Sequence, residues 1–420
     1  MLGFFLRNAG TVFQRRSAIK MTTKGNSPLN MVDGVPSVEG VSVSKLAQHY
    51  GTPIFVVSLG TIAKNYRRIF SAFSAAKLNA SVFYSMKTNN NRVICDCIRA
   101  LGGGIEVVSE HELSVAQSVG YVPSKILYNA PCKKTEDIET AVKLKVRLIT
   151  CDSMQELAEI DRVCGKVGVN QKVGIRIDPE ADRDSKFGFS VKEAIEVADS
   201  TLRLHNIRLS AIHFHLGTRI LSPRPYYESV RAAVRVINST DERVQDFLEC
   251  IDIGGGLPSF FDLQENGLDI LSYAASVRRA IEPLRIPNKV RIFVEPGRAV
   301  VGDAVLCLAS VTNLKKLKGV TWAILDVGIN ALPRLASANY KFLSFSTDSR
   351  KDRVASRLGG PLCMKSDTFG DDGNLVTVGV GDLVGFTNAG AYTMSLTTGF
   401  SESHPRLVVV NGKRHKQTSW

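Results

Sequence analysis

From residue 80 onward the chain repeats one pattern: a short run of apolar, often β-branched residues, a polar or glycine turn, then apolar positions spaced three and four apart. The first part reads as a strand and the last as an amphipathic helix. Strands are expected over residues 80–87, 104–109, 126–130, 147–152, 172–178, 209–216, 250–256 and 291–297. Helices are expected between them, over 110–119, 135–144, 154–167, 191–200, 226–236 and 271–284. Eight strands alternating with helices predict an α/β protein with a closed parallel (β/α)8 TIM-type barrel. A doubly wound open sheet fits the same periodicity, because hydrophobic spacing does not report closure.

After about residue 300 the pattern changes to strands separated by turns, over 305–311, 320–327, 340–346, 375–386 and 406–410. This predicts a C-terminal β domain of sandwich or barrel type. A short helix over 43–51 and a strand over 53–57 come before the barrel, and the strand is expected to join the β domain. The expected division is an N-terminal extension over 1–35, a β-domain strand within 36–60, the barrel over 61–300 and the β domain over 301–420.

Composition narrows the function classes. The chain has 420 residues, 44% hydrophobic and 22% charged, as in ordinary globular enzymes. No apolar run reaches the roughly 18 residues that span a bilayer, so a membrane-spanning protein is not expected. The formal charge of +13 arises from 53 basic against 40 acidic residues. The basic residues are dispersed, which argues against nucleic acid and for a bias towards anionic small ligands. The eight cysteines lack zinc-ribbon or disulfide-framework spacing, so most are expected to be reduced, buried thiols. Before the first acidic residue, Asp33, stand Arg7, Arg15, Arg16, Lys20 and Lys24. An acid-free basic start of this kind predicts a transit segment or a plain extension, and hence a mitochondrial or cytoplasmic protein.

Candidate chemistry sits at the strand ends. In a barrel the carboxyl ends of the strands converge on one face. Here they are Lys87, Glu106 with Ser109, Asn129, Asp152, Arg176, His215, Gly254-Gly255-Gly256 and Glu295-Pro296-Gly297-Arg298. Each has a plain reading alone: a surface lysine, a core histidine, a tight turn, a surface ion pair. A Rossmann fingerprint is excluded, because Leu257-Pro258 follow the glycines where a helix should open. His213 and His215 lie two residues apart, but no Cys, Asp or third His stands at ligand spacing in sequence, so no metal is expected. Together, an amine, an imidazole, a glycine loop and a Glu/Arg pair suit a phosphorylated aromatic aldehyde such as pyridoxal phosphate.

The motifs carry a resemblance. Tyr84-Ser85-Met86-Lys87-Thr88-Asn89, Glu106-Val107-Val108-Ser109, Ser185-Lys186-Phe187-Gly188, His213-Phe214-His215-Leu216-Gly217-Thr218, Asp252 to Gly256, Glu295 to Arg298, Gly360-Pro361-Leu362-Cys363 with Asp367, and Asn388-Ala389-Gly390-Ala391-Tyr392 resemble, in order, the ornithine/diaminopimelate/arginine decarboxylase family. The resemblance implies an alanine racemase-like barrel, pyridoxal phosphate, and a homodimer with shared active sites. Lys87 would carry the Schiff base, His215 would stack on the ring and Glu295 would pair with its nitrogen. Gly254, Gly255, Gly256, Thr218, Arg298 and Tyr392 would hold the phosphate, with Arg176 among the cofactor-binding residues. Cys363 would reach the partner's site and protonate the substrate carbon after carbon dioxide leaves. Glu295 favours decarboxylation over racemisation, since racemases of this barrel place arginine near that nitrogen.

Substrate choice departs from the family's best-known members. These usually place an acidic residue directly after the cysteine, where it meets a distal ammonium, and this chain has Met364. A thioether cannot pair an ammonium, so a plain diamino acid is disfavoured unless Asp326 or Asp367 compensates. Arg334 aligns with an arginine that binds a distal carboxylate, while Arg298 and Tyr392 also border the substrate. The tyrosine expected soon after Arg334 is replaced by Ala338. Gly360 to Cys363 and Ser403-His404-Pro405-Arg406 resemble a branch acting in siderophore and antibiotic pathways, so an amino acid with a polar or substituted distal group is expected. Ornithine, lysine or diaminopimelate is the alternative substrate. An inactive regulator resembling the antizyme inhibitors, or a single-domain cofactor-binding barrel, is the alternative of another class.

Overall fold

The computed structural model describes residues 28–179, 185–335, 337–345, 354–369 and 376–419. The chain divides into two compact units, residues 65–258 with 265–297, and residues up to 64 with 259–264 and 298–420.

The first unit is a closed eight-stranded barrel. To number the strands in chain order, four precede it: β1 (Leu29–Val32), β2 (Val35–Val38), β3 (Val41–Ser42) and β4 (Ile54–Ser58). The barrel strands are β5 (Ala80–Ser85), β6 (Gly104–Val107), β7 (Ile126–Asn129), β8 (Leu148–Cys151), β9 (Gln171–Arg176), β10 (Ile207–His213), β11 (Cys250–Asp252) and β12 (Arg291–Val294). Each pairs in parallel with its neighbours, and β12 closes the ring on β5. The short apolar runs are buried on both faces, as strands covered by helices must be. Phe83, Leu127, Leu148, Ala211, Cys250 and Phe293 form a cluster inside the barrel. The two phenylalanine rings lie 4.8 Å apart. They fit because Gly104 has no side chain: a Cβ there would lie 2.2 Å from the Phe83 ring.

The helices between the strands begin and end where local chemistry demands. Ser109, Ser153 and Ser190 accept hydrogen bonds from the amides of Glu112, Glu156 and Glu193, each capping a helix start. Gly120 and Gly168, both left-handed, close two of them.

The second unit is rich in β structure. Its later strands are β13 (Val305–Leu317), β14 (Val320–Leu325), β15 (Lys341–Ser344), β16 (Val354–Ala355), β17 (Arg357–Gly359), β18 (Val376–Thr377), β19 (Leu383–Thr387), β20 (Arg406–Asn411) and β21 (Arg414–Thr418). The main sheet has eight strands, running β15-β19-β13-β4-β20-β21 with β14 on β13 and β17 on β14. The early strand β4 lies in its middle, antiparallel to β13 and parallel to β20.

Three expectations are revised. Residues 29–38, assigned largely to a featureless extension, form the hairpin β1–β2, with Leu29 and Val38 buried in the core of this unit; the transit-like segment before them lies outside the described residues. The single strand expected over 375–386 is two strands, because Gly379-Val380-Gly381-Asp382 makes a turn in which the Gly379 amide donates to the Asp382 carboxylate at 2.6 Å. Strand β5 ends at Ser85, so Lys87 sits in a 3-10 turn, Met86–Thr88. No described helix is long and apolar enough to cross a membrane.

Candidate active site

The carboxyl end of the barrel gathers the polar groups. Strand register does this: Ser85 pairs with Glu106, and His213 is level with both Arg176 and Asp252 on its two neighbours. Residues 21 to 39 positions apart in sequence thereby meet in adjacent strands.

The Lys87 ammonium, with a side chain 30% exposed, lies 2.8 and 2.7 Å from the two oxygens of the fully buried Glu106. The Ser85 hydroxyl donates to the same carboxylate at 2.6 Å. Glu106 therefore aims the amine and supplies its counter-charge. Sequence reasoning named Glu106 only as a strand end. Its place at the strand end next after that of a lysine was the available signal.

Below lies a second buried group. His213, Asp252 and Glu295 offer ligand atoms within 4.8 Å of one another, all buried. The Asn129 amide contacts His213 Nε2 at 3.0 Å and the Glu295 oxygens at 3.4 and 3.5 Å. With Asn129 donating, Nε2 is the acceptor, and the imidazole proton sits on Nδ1, 3.5 Å from Asp252 Oδ2. Burial pushes the His213 pKa down to about 4, so the ring is neutral. Burial raises both carboxyls, and each is raised further by neighbouring negative charge, Glu295 by Asp252 and Asp252 by Glu106. Two carboxyls this close in a buried pocket cannot both ionise unaided, so the pocket is set to receive a positively charged partner. The sequence offered Asp252 only as the start of the glycine motif and judged His213 to lack an acidic neighbour. The register between β10 and β11 supplies one.

His215 lies just beyond β10 and is half-buried; its Nδ1 accepts the Gly255 amide proton at 3.1 Å. Burial and the nearby Lys87 and Arg176 cations hold its pKa well below the usual range. The glycines beside it form a backbone-only cradle. A Cβ on Gly254 would lie 2.4 Å from the Phe214 carbonyl, and one on Gly255 2.7 Å from that of Glu295. Gly254 and Gly256 also have φ of +60° and +99°, which side chains rarely tolerate. Arg176, buried at the end of β9, packs over Phe187 at 4.1 Å and sits 3.9 Å from Asp152. Thr218 follows in the loop after His215.

An amine on a carboxylate, a neutral imidazole, a side-chain-free loop and a buried carboxyl pair match what pyridoxal phosphate requires: a nucleophile for its aldehyde, a surface for its ring, a bed for its phosphate, and an acid partner for its ring nitrogen. The description "Pyridoxal-dependent decarboxylase, pyridoxal binding domain" fits residues 59–302, more than half of the chain.

The chain belongs to the pyridoxal-dependent decarboxylases.

Its relatives extend over nearly the whole length. The diaminopimelate decarboxylase of Aquifex aeolicus is 29% identical, covering 92% of this chain and 93% of its own. That of Methanocaldococcus jannaschii is 28% identical, covering 94% of both chains. Among solved structures, M. jannaschii diaminopimelate decarboxylase with L-lysine superposes with a TM-score of 0.82 at 25% identity, covering 94% of this chain and 95% of that one. This decarboxylase is accordingly a pyridoxal-phosphate-dependent carboxy-lyase acting on a small-molecule amino acid, and the inactive-regulator and single-domain readings fall away.

The remaining candidates lie in the β-rich unit. Arg298 donates to Ser337 Oγ at 3.1 Å and lies over the Tyr392 ring at 5.5 Å. Cys363 is exposed, and Met364 beside it is 42% exposed. Asp367 is buried, accepting the amides of Ile329 and Leu362, each at 2.8 Å. Its carboxylate ties the Cys363 loop together, and Gly360 must lack a side chain to pass it. Asp326 is taken up by the Ser310 amide at 2.8 Å and the Thr52 hydroxyl at 2.5 Å. Both aspartates offered for a substrate ammonium are thus engaged within their own unit. Arg334 is exposed and donates to Thr368 Oγ1 at 3.3 Å. The loop that Asp367 organises thus presents a thiol and a thioether, with a guanidinium bonded at Thr368 just beyond it.

Proposed function

We propose that this decarboxylase removes the α-carboxylate of an amino acid with a polar or substituted distal group, in a homodimer whose sites are shared. The observation that carries the chemistry is the Lys87–Glu106 pair at the barrel's carboxyl end. Pyridoxal phosphate, when bound, supplies the sink for the electron pair left on the α-carbon as carbon dioxide departs.

The chain's own residues do the rest. Lys87 Nζ, held by Glu106 in the cofactor-free chain, would be the amine that holds the cofactor's aldehyde carbon. Glu295, backed by Asp252 and a neutral His213, would pair with the ring nitrogen, its carboxyl proton passing to that nitrogen and leaving a fixed negative charge beside it. His215, held by the Gly255 amide, would offer its face to the ring, and Gly254 to Gly256, Thr218 and Arg176 would hold the phosphate, a role the family resemblance also gives Arg298 and Tyr392. Cys363 Sγ, from the partner, delivers the proton to the α-carbon.

The substrate reading rests on Met364, an exposed thioether next to that thiol, with Asp326 and Asp367 already bonded elsewhere. It favours a distal group without a free ammonium, with Arg334 available for a carboxylate. A second reading, diaminopimelate itself, is favoured by the names of the relatives, and Arg334 serves it equally. Carbon dioxide release measured across ornithine, lysine, diaminopimelate, arginine, glutamate and acylated diaminopropionates separates them. Fastest release from ornithine or lysine sinks both. We place the enzyme in the cytoplasm, with import directed by residues 1–35 as the alternative that a reporter fusion decides.

A further inference from the structure

The opposite end of the barrel is not closed. A cavity of about 560 Å3 opens there, lined at the amino-terminal ends of the strands by Ala80, Gly104, Lys125, Arg147, Glu249 and Arg291. Its size falls within the ~300–1,000 Å3 of small-molecule sites. The site described above lies at the carboxyl ends of the same strands, so the two do not share a wall residue.

Its lining holds four cations, Lys125, Arg147, Lys289 and Arg291, against one carboxylate, Glu249. That carboxylate is already committed to Arg147 at 2.8 Å and to Lys172. Lys125 is fixed at the rim by the Gly102 carbonyl at 3.1 Å. Lys289 bonds the carbonyls of Gln245 and Asp246, with the Asp246 carboxylate 3.7 Å away. Arg291 is exposed, and its guanidinium has no hydrogen bond or ion pair among the described residues. Clustered like charges destabilise a folded chain. A barrel end that served stability alone has no use for them.

Four aromatic residues, Tyr66, Phe70, Phe83 and Phe293, also line it. Phe70 is 49% exposed, the Phe83–Phe293 pair forms the floor, and the Arg147 guanidinium lies 5.7 Å from the Phe293 centroid. The small residues Ala80, Ser81, Gly102, Gly104 and Ser124 keep the mouth open. Flat apolar faces ringed by cations recognise an anion joined to a flat ring. The chain's own first 27 residues carry basic and no acidic side chains, so charge rules them out as the occupant.

We propose that the amino-terminal end of the barrel is a second, non-catalytic site for an organic polyanion carrying a planar ring, the class to which nucleoside phosphates belong. ATP is the probe, titrated calorimetrically into the cofactor-loaded enzyme at low and at physiological salt, with inorganic triphosphate and adenosine as separate arms. The expected result is one saturable site per chain for ATP, weakened by salt, at least tenfold tighter than for either arm. Affinity should fall at least tenfold in Lys289→Gln/Arg291→Gln and in Phe70→Ser, with decarboxylation unchanged in both. Because all three positions are exposed, these variants are expected to fold, and melting curves check it. No saturable binding, binding that survives both variants, or triphosphate binding as tightly as ATP overturns the proposal.

Discussion

The neutral imidazole of His213 sets a measurable pH dependence in the cofactor-free enzyme. An unfolded histidine titrates near 6.5, whereas burial holds His213 to about 4. The groups that face it are Glu295, Asp252, Asp152, Glu106 and Arg176. Between those two values the unfolded chain binds a proton that the folded chain refuses, so stability falls as pH falls. Each pH unit is worth about 1.36 kcal/mol, so the loss reaches about 2 kcal/mol by pH 5 and about 3 kcal/mol by pH 4. Asp252 and Glu295 act in the opposite sense, because a buried carboxyl that keeps its proton gains relative stability in acid. The test is therefore a difference: melting temperatures of apoenzyme and of His213→Gln, each from pH 7.5 to 5. Glutamine retains a group for the Asn129 amide and removes the titration. For a domain of this size 1 kcal/mol moves the midpoint about 2–4 °C, so wild type should lose about 4–8 °C more than the variant by pH 5. Parallel curves would show that His213 is not held neutral, and the account of the Glu295 pocket would fall with it.

Three further outcomes are expected. Glu106→Gln removes the counter-charge of Lys87 and should lower the apoenzyme's stability by about 1–2 kcal/mol, the lower part of the range for charged hydrogen bonds because Lys87 is partly exposed; an unchanged melting temperature refutes the pairing. Cys363→Ala should retain the cofactor absorbance and lose most amine product formation, and mixing it with Lys87→Ala should restore about a quarter of wild-type activity if sites are shared; verified subunit exchange without recovery argues against sharing. Phe83→Ala, emptying the barrel interior beside Phe293, should cost about 3–5 kcal/mol in chemical denaturation.

The barrel was legible because its signals are local. Each strand is a short apolar run followed by a polar or glycine turn and then an amphipathic stretch, so eight repeats were visible in order. Lys87, His215, the three glycines and Glu295 stood out because chemistry placed them at those ends. Glu106, Asn129, His213 and Asp252 did not stand out as a group, because what unites them is register between strands, and periodicity carries no register. The hairpin over 29–38 was missed for another reason: three of the four β1 side chains are exposed and β2 contains Pro36, so neither reads as an apolar run.

Substrate selection is encoded differently. Position 364 reads correctly as a thioether where an acid is usual, but the fate of the aspartates meant to compensate depended on hydrogen bonds no sequence displays. Asp367 is spent on two amides of its own loop, and Asp326 on Ser310 and Thr52. Once both are engaged within their own unit, the residues we propose to read a distal group are Met364 and Arg334. On the reading we propose, a guanidinium with no free carboxylate near it favours a distal group carrying negative charge over one carrying a free ammonium.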